Sequence, residues 1–506
     1  MSDATPSIDP LSAAPNAAES VTVRMYRGLL GDCFLLVHTC NGETFKALID
    51  CGVLQCIGTK DSKPKTRQGV SHVLTVAADL AKTLSGGLDL MIATHEHYDH
   101  LSGFILGYEA LKDIEIKALW LGWTENLNDP KAQELSDRTK KAVSALRRVA
   151  NNPKLAADPR LSDPVQTIRS LLQFQGGLED PPAETKRPMS CFAVLEWLKM
   201  KAQGQVRYLE PGEVVAFGLD DRLKAYVLGP PRDRKLLKQL DPDPKAPEVY
   251  LAQRGETLAI EAALSALEES AALDDAEFPF ARRFHTRPEQ RTFSTAAAYD
   301  RDERRNIDHE WLGSAESLAL KIDGDVNNTS LALAIETADK DVLLFPADAQ
   351  VGNWLSWHNQ TYPATWAPGA VPPVTIDDLL SRVVFYKVGH HASHNATLKA
   401  KGLALMTSPR LAAMIPVVED VATEQKTRLN PAGWAMPYAP LYKELMLRTA
   451  GRLIRGDGEL DAEREAFSAR PGGFTLTYAD ETSRDPLWVS VTMTVRERSA
   501  RFGAAG

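Results

Sequence analysis

The stretch MIATHEHYDHLSG, residues 91–103, decides how this chain is read. It sits at the end of a short, wholly apolar run, 88–94, of the kind that forms a strand buried on both faces. Directly after that run, within six positions, come His95, Glu96, His97, Asp99 and His100. Polar side chains gathered at the end of a buried strand are costly unless something binds them. Imidazoles and carboxylates are ligands of zinc, manganese and iron. Side chains alternate in direction along an extended segment, so His95 and His97 can converge on one ion. Asp99 and His100 lie past the corner and can face a second. Strand ends are also where open α/β sheets place their ligands.

One segment cannot complete two sites, so distant ligands are required. The sequence offers them in the same setting, an apolar strand followed by a ligand-type side chain. Asp348 closes the run DVLLFPAD (341–348), and His390 and His391 follow RVVFYKVG (382–389).

Outward from these motifs the pattern is α/β. Residues 21–38 read as two strands around a Gly-Asp turn, 44–52 as a strand ending near Asp50, and 116–123 as another. Helical spacing marks 71–84 and the segment after His100. Residues 1–20 form a tail, and 21–123 the first half of a core. A charged, mostly helical insertion follows at 124–204, and a strand hairpin returns at 205–231. A second helical, Arg-rich insertion spans 232–315, the second half of the core 316–458, and closing strands 459–506.

A chain of 506 residues has room for one core with two large insertions. Its net charge of −9 argues against a protein held to nucleic acid or anionic lipid by bulk attraction, though a local basic groove stays open. The five cysteines, Cys33, Cys40, Cys51, Cys56 and Cys191, include no CxxC pair and read as free thiols of a reducing compartment. The first 20 residues hold no Lys or Arg and no apolar segment, so they read as a disordered tail rather than a secretory signal. No stretch approaches the roughly 18 apolar residues that cross a bilayer. The expectation is a cytoplasmic protein with no membrane partner.

These motifs carry a family resemblance. THEHYDHLSG (94–103) resembles the HxHxDH signature of the metallo-β-lactamase superfamily. GLLGDCFLLV (28–37), ALIDCG (47–52), NNTSLALAI (327–335), VLLFPAD (342–348), FYKVGHHAS (385–393) and YAPLYKELMLRTAGRLIRGD (438–457) resemble motifs of one branch, the hydrolase domain of the ComEC family of DNA-uptake proteins. The resemblance implies an αββα sandwich with the site at one edge. It implies two divalent ions, Zn2+ or Mn2+, between which imidazole and carboxylate ligands do not choose. His95 and His97 would hold one ion, Asp99 and His100 the other, with Asp348 bridging. One of His390 and His391 would complete the second site, with His391 favoured. Asp50 would orient the histidines of the first motif without touching metal.

The chain departs from the family in three places. Asn327 and Asn328 stand where most members carry a further metal-binding histidine, so an asparagine oxygen, a water or an insertion histidine (His285 or His309) would have to substitute. Ala392 replaces a glycine, and Ala439 a histidine.

The implied activity is hydrolysis by a metal-bridged hydroxide, with Asp99 accepting the proton. No Gly-x-Ser-x-Gly elbow offers a serine nucleophile on this core. A phosphodiesterase or nuclease is the first expectation, because the branch points to nucleic acid. Lys387, Ser393 and His394 flank the double histidine, where they could touch phosphate. An arginine-rich segment, 281–305, could track a backbone. The alternatives are a hydrolase of a small lactone or thioester, and a non-catalytic metal-binding member. The ComEC family couples this domain to a membrane channel, which is not carried over to this chain.

Overall fold

The structure is a computed structural model and describes residues 19–56, 69–153, 187–239, 325–363, 373–426, 432–469 and 472–495, with isolated positions between them. It is a mixed α/β fold built on two large sheets.

The first sheet has eight strands, in the spatial order Phe474–Tyr478, Trp488–Thr494, Glu19–Tyr26, Cys33–Cys40, Glu43–Cys51, Leu90–Ile92, Leu119–Gly122 and Val206–Leu209. It is antiparallel as far as Glu43–Cys51 and parallel beyond it. The second has seven, in the order Leu453–Arg455, Ala412–Ile415, Val383–Lys387, Val342–Phe345, Leu333–Glu336, Leu223–Val227 and Val214–Phe217. Its first four strands are parallel.

The two-residue period of a strand sorts side chains to opposite faces. Val21, Val23, Met25, Phe34 and Leu36 of the first sheet share a core with Leu333, Ile335, Leu343, Phe345 and Met414 of the second. Leu35, Val37, Leu48 and Met91 turn to the other side and pack under helices Gly69–Thr83, Tyr98–Leu106 and Cys191–Lys201. Tyr226, Leu344, Tyr386 and Ala413 do the same beneath helices Val351–Trp357, Ile376–Ser381 and Ala439–Arg448. Helices therefore cover both outer faces of the paired sheets. The parallel strands point their C-terminal ends to one edge, and the segments that follow them carry His95 to His100, Asp348, His390 and His391.

Two boundaries shift. The tail read as 1–20 gives up its last two residues, because Glu19 and Ser20 already pair with Cys40 and Thr39. A hydrogen bond and an ion pair hold Glu19 there: one carboxylate oxygen accepts from the His38 ring at 3.0 Å and the other pairs with Arg222. The C-terminal segment carries helix Leu460–Ala469 before its two strands. The first insertion is helical where it is described, as Pro130–Asn151 and Cys191–Lys201. Most of the second insertion, with His285, His309 and the arginines of 281–305, lies outside the described residues. Among the described residues no helix is long and apolar enough to cross a membrane.

Candidate metal centre

Strand Leu90–Ile92 is wholly buried, and the chain leaves it through Thr94 and His95. His97 keeps extended geometry (φ −116°, ψ 153°) as the residue before helix Tyr98–Leu106. Asp99 and His100 thus fall in the first helical turn, on a different bearing from His95 and His97. Backbone contact sets this corner. Asp32 N–H donates to Asp99 O at 2.9 Å, and Gly52 N–H to Asp32 O at 2.8 Å. Gly52 lies so close that a Cβ there would come within 2.2 Å of Asp99 C and His100 N.

Asp50 organises the corner by hydrogen bonds. Its Oδ1 accepts from Thr94 N–H at 2.9 Å. Its Oδ2 accepts from Thr94 Oγ1 at 2.7 Å and faces His100 Nδ1 at 2.7 Å. A proton on His100 Nδ1 therefore goes to Asp50, and Nε2 turns to the interior of the cluster. The Thr94 hydroxyl has given its proton to Asp50, so it accepts from His95 Nδ1 at 3.0 Å. That leaves His95 Nε2 facing His97 Nδ1 at 3.1 Å.

The second sheet supplies the rest. His391 Nδ1 donates to Pro416 O at 2.8 Å, so its Nε2 points inward, 3.0 Å from Asp99 Oδ2. Asp348 Oδ1 accepts from His390 N–H at 2.9 Å, while Oδ2 lies 3.2 Å from His100 Nε2. Asp50, Ala347, His390, His391 and Ala392 all have positive φ, from 42° to 61°. Left-handed backbone at non-glycine residues costs energy and gathers at functional sites. Ala392, at φ 61°, takes a conformation that favours glycine.

Four residues, Asp99, His100, Asp348 and His391, bring one ligand atom each within 4.8 Å of one another. All four are buried, and Asp99 Oδ1, His100 Nε2 and Asp348 Oδ2 have no hydrogen-bond partner. Buried polar atoms are nearly always bonded, so three orphans at one point call for a missing partner. The 3.2 Å between His100 Nε2 and Asp348 Oδ2 is close yet misaligned for a hydrogen bond. Two ligands of one ion at about 2.1 Å each stand about 3.0–3.4 Å apart, so the spacing fits a shared cation. Two imidazoles and two carboxylates suit a divalent ion of the zinc or manganese kind. These buried groups could hold a metal ion.

Electrostatics divides the histidines into two pairs. Burial opposes charge on His100, yet Asp348, Asp32, Asp50 and Asp99 together hold its pKa well above the ordinary value. Burial likewise opposes charge on His391, and its bond to Asp99 with the charge of Asp348 outweighs it and raises the pKa. His95 goes the other way: burial, reinforced by His100 and His97, keeps it well below the ordinary value. Burial also brings His97 down to about 4, so both rings are neutral near pH 7 and have lone pairs to give. For Asp348, burial would raise the pKa, but His100 and Lys387 pull it well below the carboxylate range.

His95 and His97 meet each other, but among the described residues they join no group of three ligand side chains. Asn328 does not stand in for the missing histidine. Its Oδ1 accepts from Gln350 N–H and Asn353 N–H, and its Nδ2 donates to Gln239 O, so both ends of the amide are spent. Asn327 keeps a buried Oδ1 without a partner. His390 falls outside the converging group; its Nδ1 bonds Ser393 Oγ at 2.8 Å. Ser393 is buried between His390 and Asn395, whereas His394 is exposed, its ring 6.2 Å from that of Tyr438.

The expected phosphate contact from Lys387 is corrected. Lys387 is 1% exposed, and its ammonium pairs with Asp32 while reaching Ala347 O at 3.1 Å and Asp348 Oδ1 at 3.4 Å. Its three N–H donors are spent on these three acceptors, so none is left for a phosphate. Asp32, Asp50 and His100 also converge as a triad, in which Lys387 pairs with Asp32 and the Thr94 N–H and hydroxyl donate to Asp50.

Asp32 is the residue that sequence reasoning passed over. It lies in the Gly-Asp turn of 28–37, and only its bond to Lys387 reveals that it belongs to the site. Glu96 also turns away from the cluster; burial, with Glu125 adding to it, pushes its pKa up to about 8. No family model matches the sequence, and no curated protein is significantly similar to it.

Proposed function

We propose that this chain is a metal-dependent hydrolase of the metallo-β-lactamase type, an αββα sandwich with helical insertions, acting on a phosphodiester. One observation carries the reading. Asp99 Oδ1, His100 Nε2 and Asp348 Oδ2 are buried without partners and meet His391 Nε2 at the edge where parallel strands of both sheets end. Asp99, His100, Asp348 and His391 would hold a Zn2+ or Mn2+ ion, with His95 and His97 turned toward a second. A divalent ion there acts as a Lewis acid and brings the pKa of water to near 7.

The chain's own groups then have separable tasks. Asp99 Oδ2 and His391 Nε2, 3.0 Å apart, would share the ion, which leaves the unpartnered Oδ1 to take a proton from the attacking water. Asp50 fixes the ring of His100 so that Nε2 faces inward. Lys387 offsets the charge of Asp32 and Asp348 within a dry interior. His394, exposed three residues after His391, would be the side chain that meets substrate. The choice of phosphodiester rests on the resemblance to the ComEC hydrolase domain. The four buried free thiols, Cys33, Cys40, Cys51 and Cys191, favour work in the cytosol.

The test is hydrolysis of bis(p-nitrophenyl) phosphate with Zn2+ or Mn2+, alongside the metal content of the wild type and Asp99→Ala. Metal-dependent turnover that the variant loses supports the reading. A chain that binds metal but leaves the diester intact moves the substrate to a lactone or thioester. A chain that binds no metal removes the hydrolase reading.

A further inference from the structure

Behind the metal loop lies a cavity of about 280 Å³ that none of the candidate metal ligands lines. Its floor is Glu96, whose side chain points away from its neighbours His95 and His97. One wall is the face of helix Pro130–Asn151 that carries Leu135, Lys140, Val143 and Arg147 at helical spacing. The facing wall is helix Cys191–Lys201, through Phe192, Leu195 and Lys199. Glu125, from the segment after strand Leu119–Gly122, closes one side.

The walls are firmly placed. Asp129 caps the first helix through Lys131 N–H and Ala132 N–H, and Arg232 pairs with the same carboxylate. Ser190 caps the second through Ala193 N–H.

The charges inside are left without each other. Glu96 makes no hydrogen bond or ion pair with any described residue, and Glu125 has only the Thr124 hydroxyl, at 3.4 Å. Lys140 rests over the Phe192 ring, 4.3 Å from its centre, and forms no ion pair with either carboxyl. Lys199 is already taken by Glu196 at 2.8 Å. The cavity therefore holds two carboxyls and an ammonium apart across a space with apolar walls.

We infer that this cavity is a ligand site, separate from the metal centre, for a small molecule with an oxyanion at one end, N–H donors at the other and an apolar frame between. The oxyanion meets Lys140, the N–H groups meet Glu96 and Glu125, and the frame packs on Leu135, Val143 and Leu195. The bond from the Lys140 ammonium to the oxyanion is charge-assisted, among the strongest a site can offer. At about 280 Å³ the space is at the lower end of small-molecule pockets, which excludes a polymer. A purine mononucleotide has this arrangement, its phosphate and the N–H groups of its base lying at opposite ends. Because Glu96 separates His95 from His97, a ligand held by it fixes the metal loop from behind.

The site is tested by calorimetric titration of the intact chain with GMP and, separately, with leucine, neither of which requires hydrolysis. The expected result is saturable binding of GMP, weakened about tenfold or more by Lys140→Ala and by Glu125→Gln. Lys140 is exposed and the glutamine is isosteric, so both variants keep the wild-type unfolding temperature. Leucine, whose ammonium and carboxylate share one carbon, is the control, and its binding in place of GMP overturns the inference. Binding of neither, or binding that both variants leave unchanged, overturns the inference and leaves the hydrolase reading untouched.

Discussion

Replacing Lys387 by methionine tests the electrostatic architecture of the site without any metal. The ammonium is the buried cation placed against Asp32, and it also touches Asp348 Oδ1 at 3.4 Å and Ala347 O at 3.1 Å. At an effective dielectric of about 20, a unit charge 3.4 Å from a carboxylate contributes about 5 kcal/mol of attraction before desolvation is counted. Methionine fills most of the same volume, so packing changes little, but Asp32, 2% exposed, loses its contacting cation and keeps only the His100 ring at 3.7 Å. Removing one partner of a buried pair costs about 3–5 kcal/mol, because the other charge is stranded. Lys387→Met is therefore expected to lower the unfolding free energy of the metal-free protein by that amount, in urea titrations followed by tryptophan fluorescence. Adding Asp32→Asn removes the stranded charge, so the double variant should recover most of the loss. A cost below about 1 kcal/mol, the range of exposed pairs, would refute the reasoning, as would a double variant that loses the sum of the two singles.

Three further outcomes follow from the same geometry. Asp50→Asn removes the carboxylate that orients His100 and is expected to weaken zinc binding about 10–100-fold, read by competition with a chelating dye; unchanged affinity would mean that Thr94 and the backbone suffice. Gly52→Ala puts a methyl group 2.2 Å from Asp99 C and His100 N, so the turn must move; expected are a loss of about 1–3 kcal/mol in stability and weaker metal binding, and a variant normal in both would contradict the close approach. His38 bears on pH. Burial holds its pKa below the ordinary value although Glu19 pulls the other way, and its Nδ1 accepts Leu219 N–H at 3.2 Å. The unfolded chain therefore takes up this proton first, so stability is full above about pH 6.5 and falls as the pH drops toward the folded value. Unfolding free energies measured from pH 7.5 downward should show that decline, and His38→Gln should flatten part of it.

How much of this was legible depended on how local each signal was. The apolar run 88–94 and the crowd of ligand types after it are contiguous, so both the strand and the site appear in the sequence. Asp348 and His391 were legible for the same reason, each following its own apolar strand. Asp32 was not, because a Gly-Asp turn looks alike whether its carboxylate faces water or a lysine 355 positions later. Lys387 was misread for a related reason. A cation beside a ligand set fits a substrate clamp and an internal counter-ion equally well until its direction is known. Asn328 resembled a substitute ligand because its type allows it, whereas its amide pins the backbone of residues 350 and 353. The strand order was also hidden, since Ser20 pairs with Thr494 and no local pattern announces such a partner.

That pairing has a consequence in time. Strand Glu19–Tyr26 lies between Cys33–Cys40 and Trp488–Thr494, so the first sheet is completed only when segments from opposite ends of the fold have met. Asp99 and His391, 292 positions apart, face each other only once the two sheets have met. Contacts this distant in sequence are slow to form. Until they form, Asp32, Asp50, Asp99 and Asp348 stay hydrated and apart, and the chain cannot close a cage around a cation. Any ion that these groups hold is therefore captured late in folding, and the histidine motif by itself, without the second sheet, lacks Asp348 and His391.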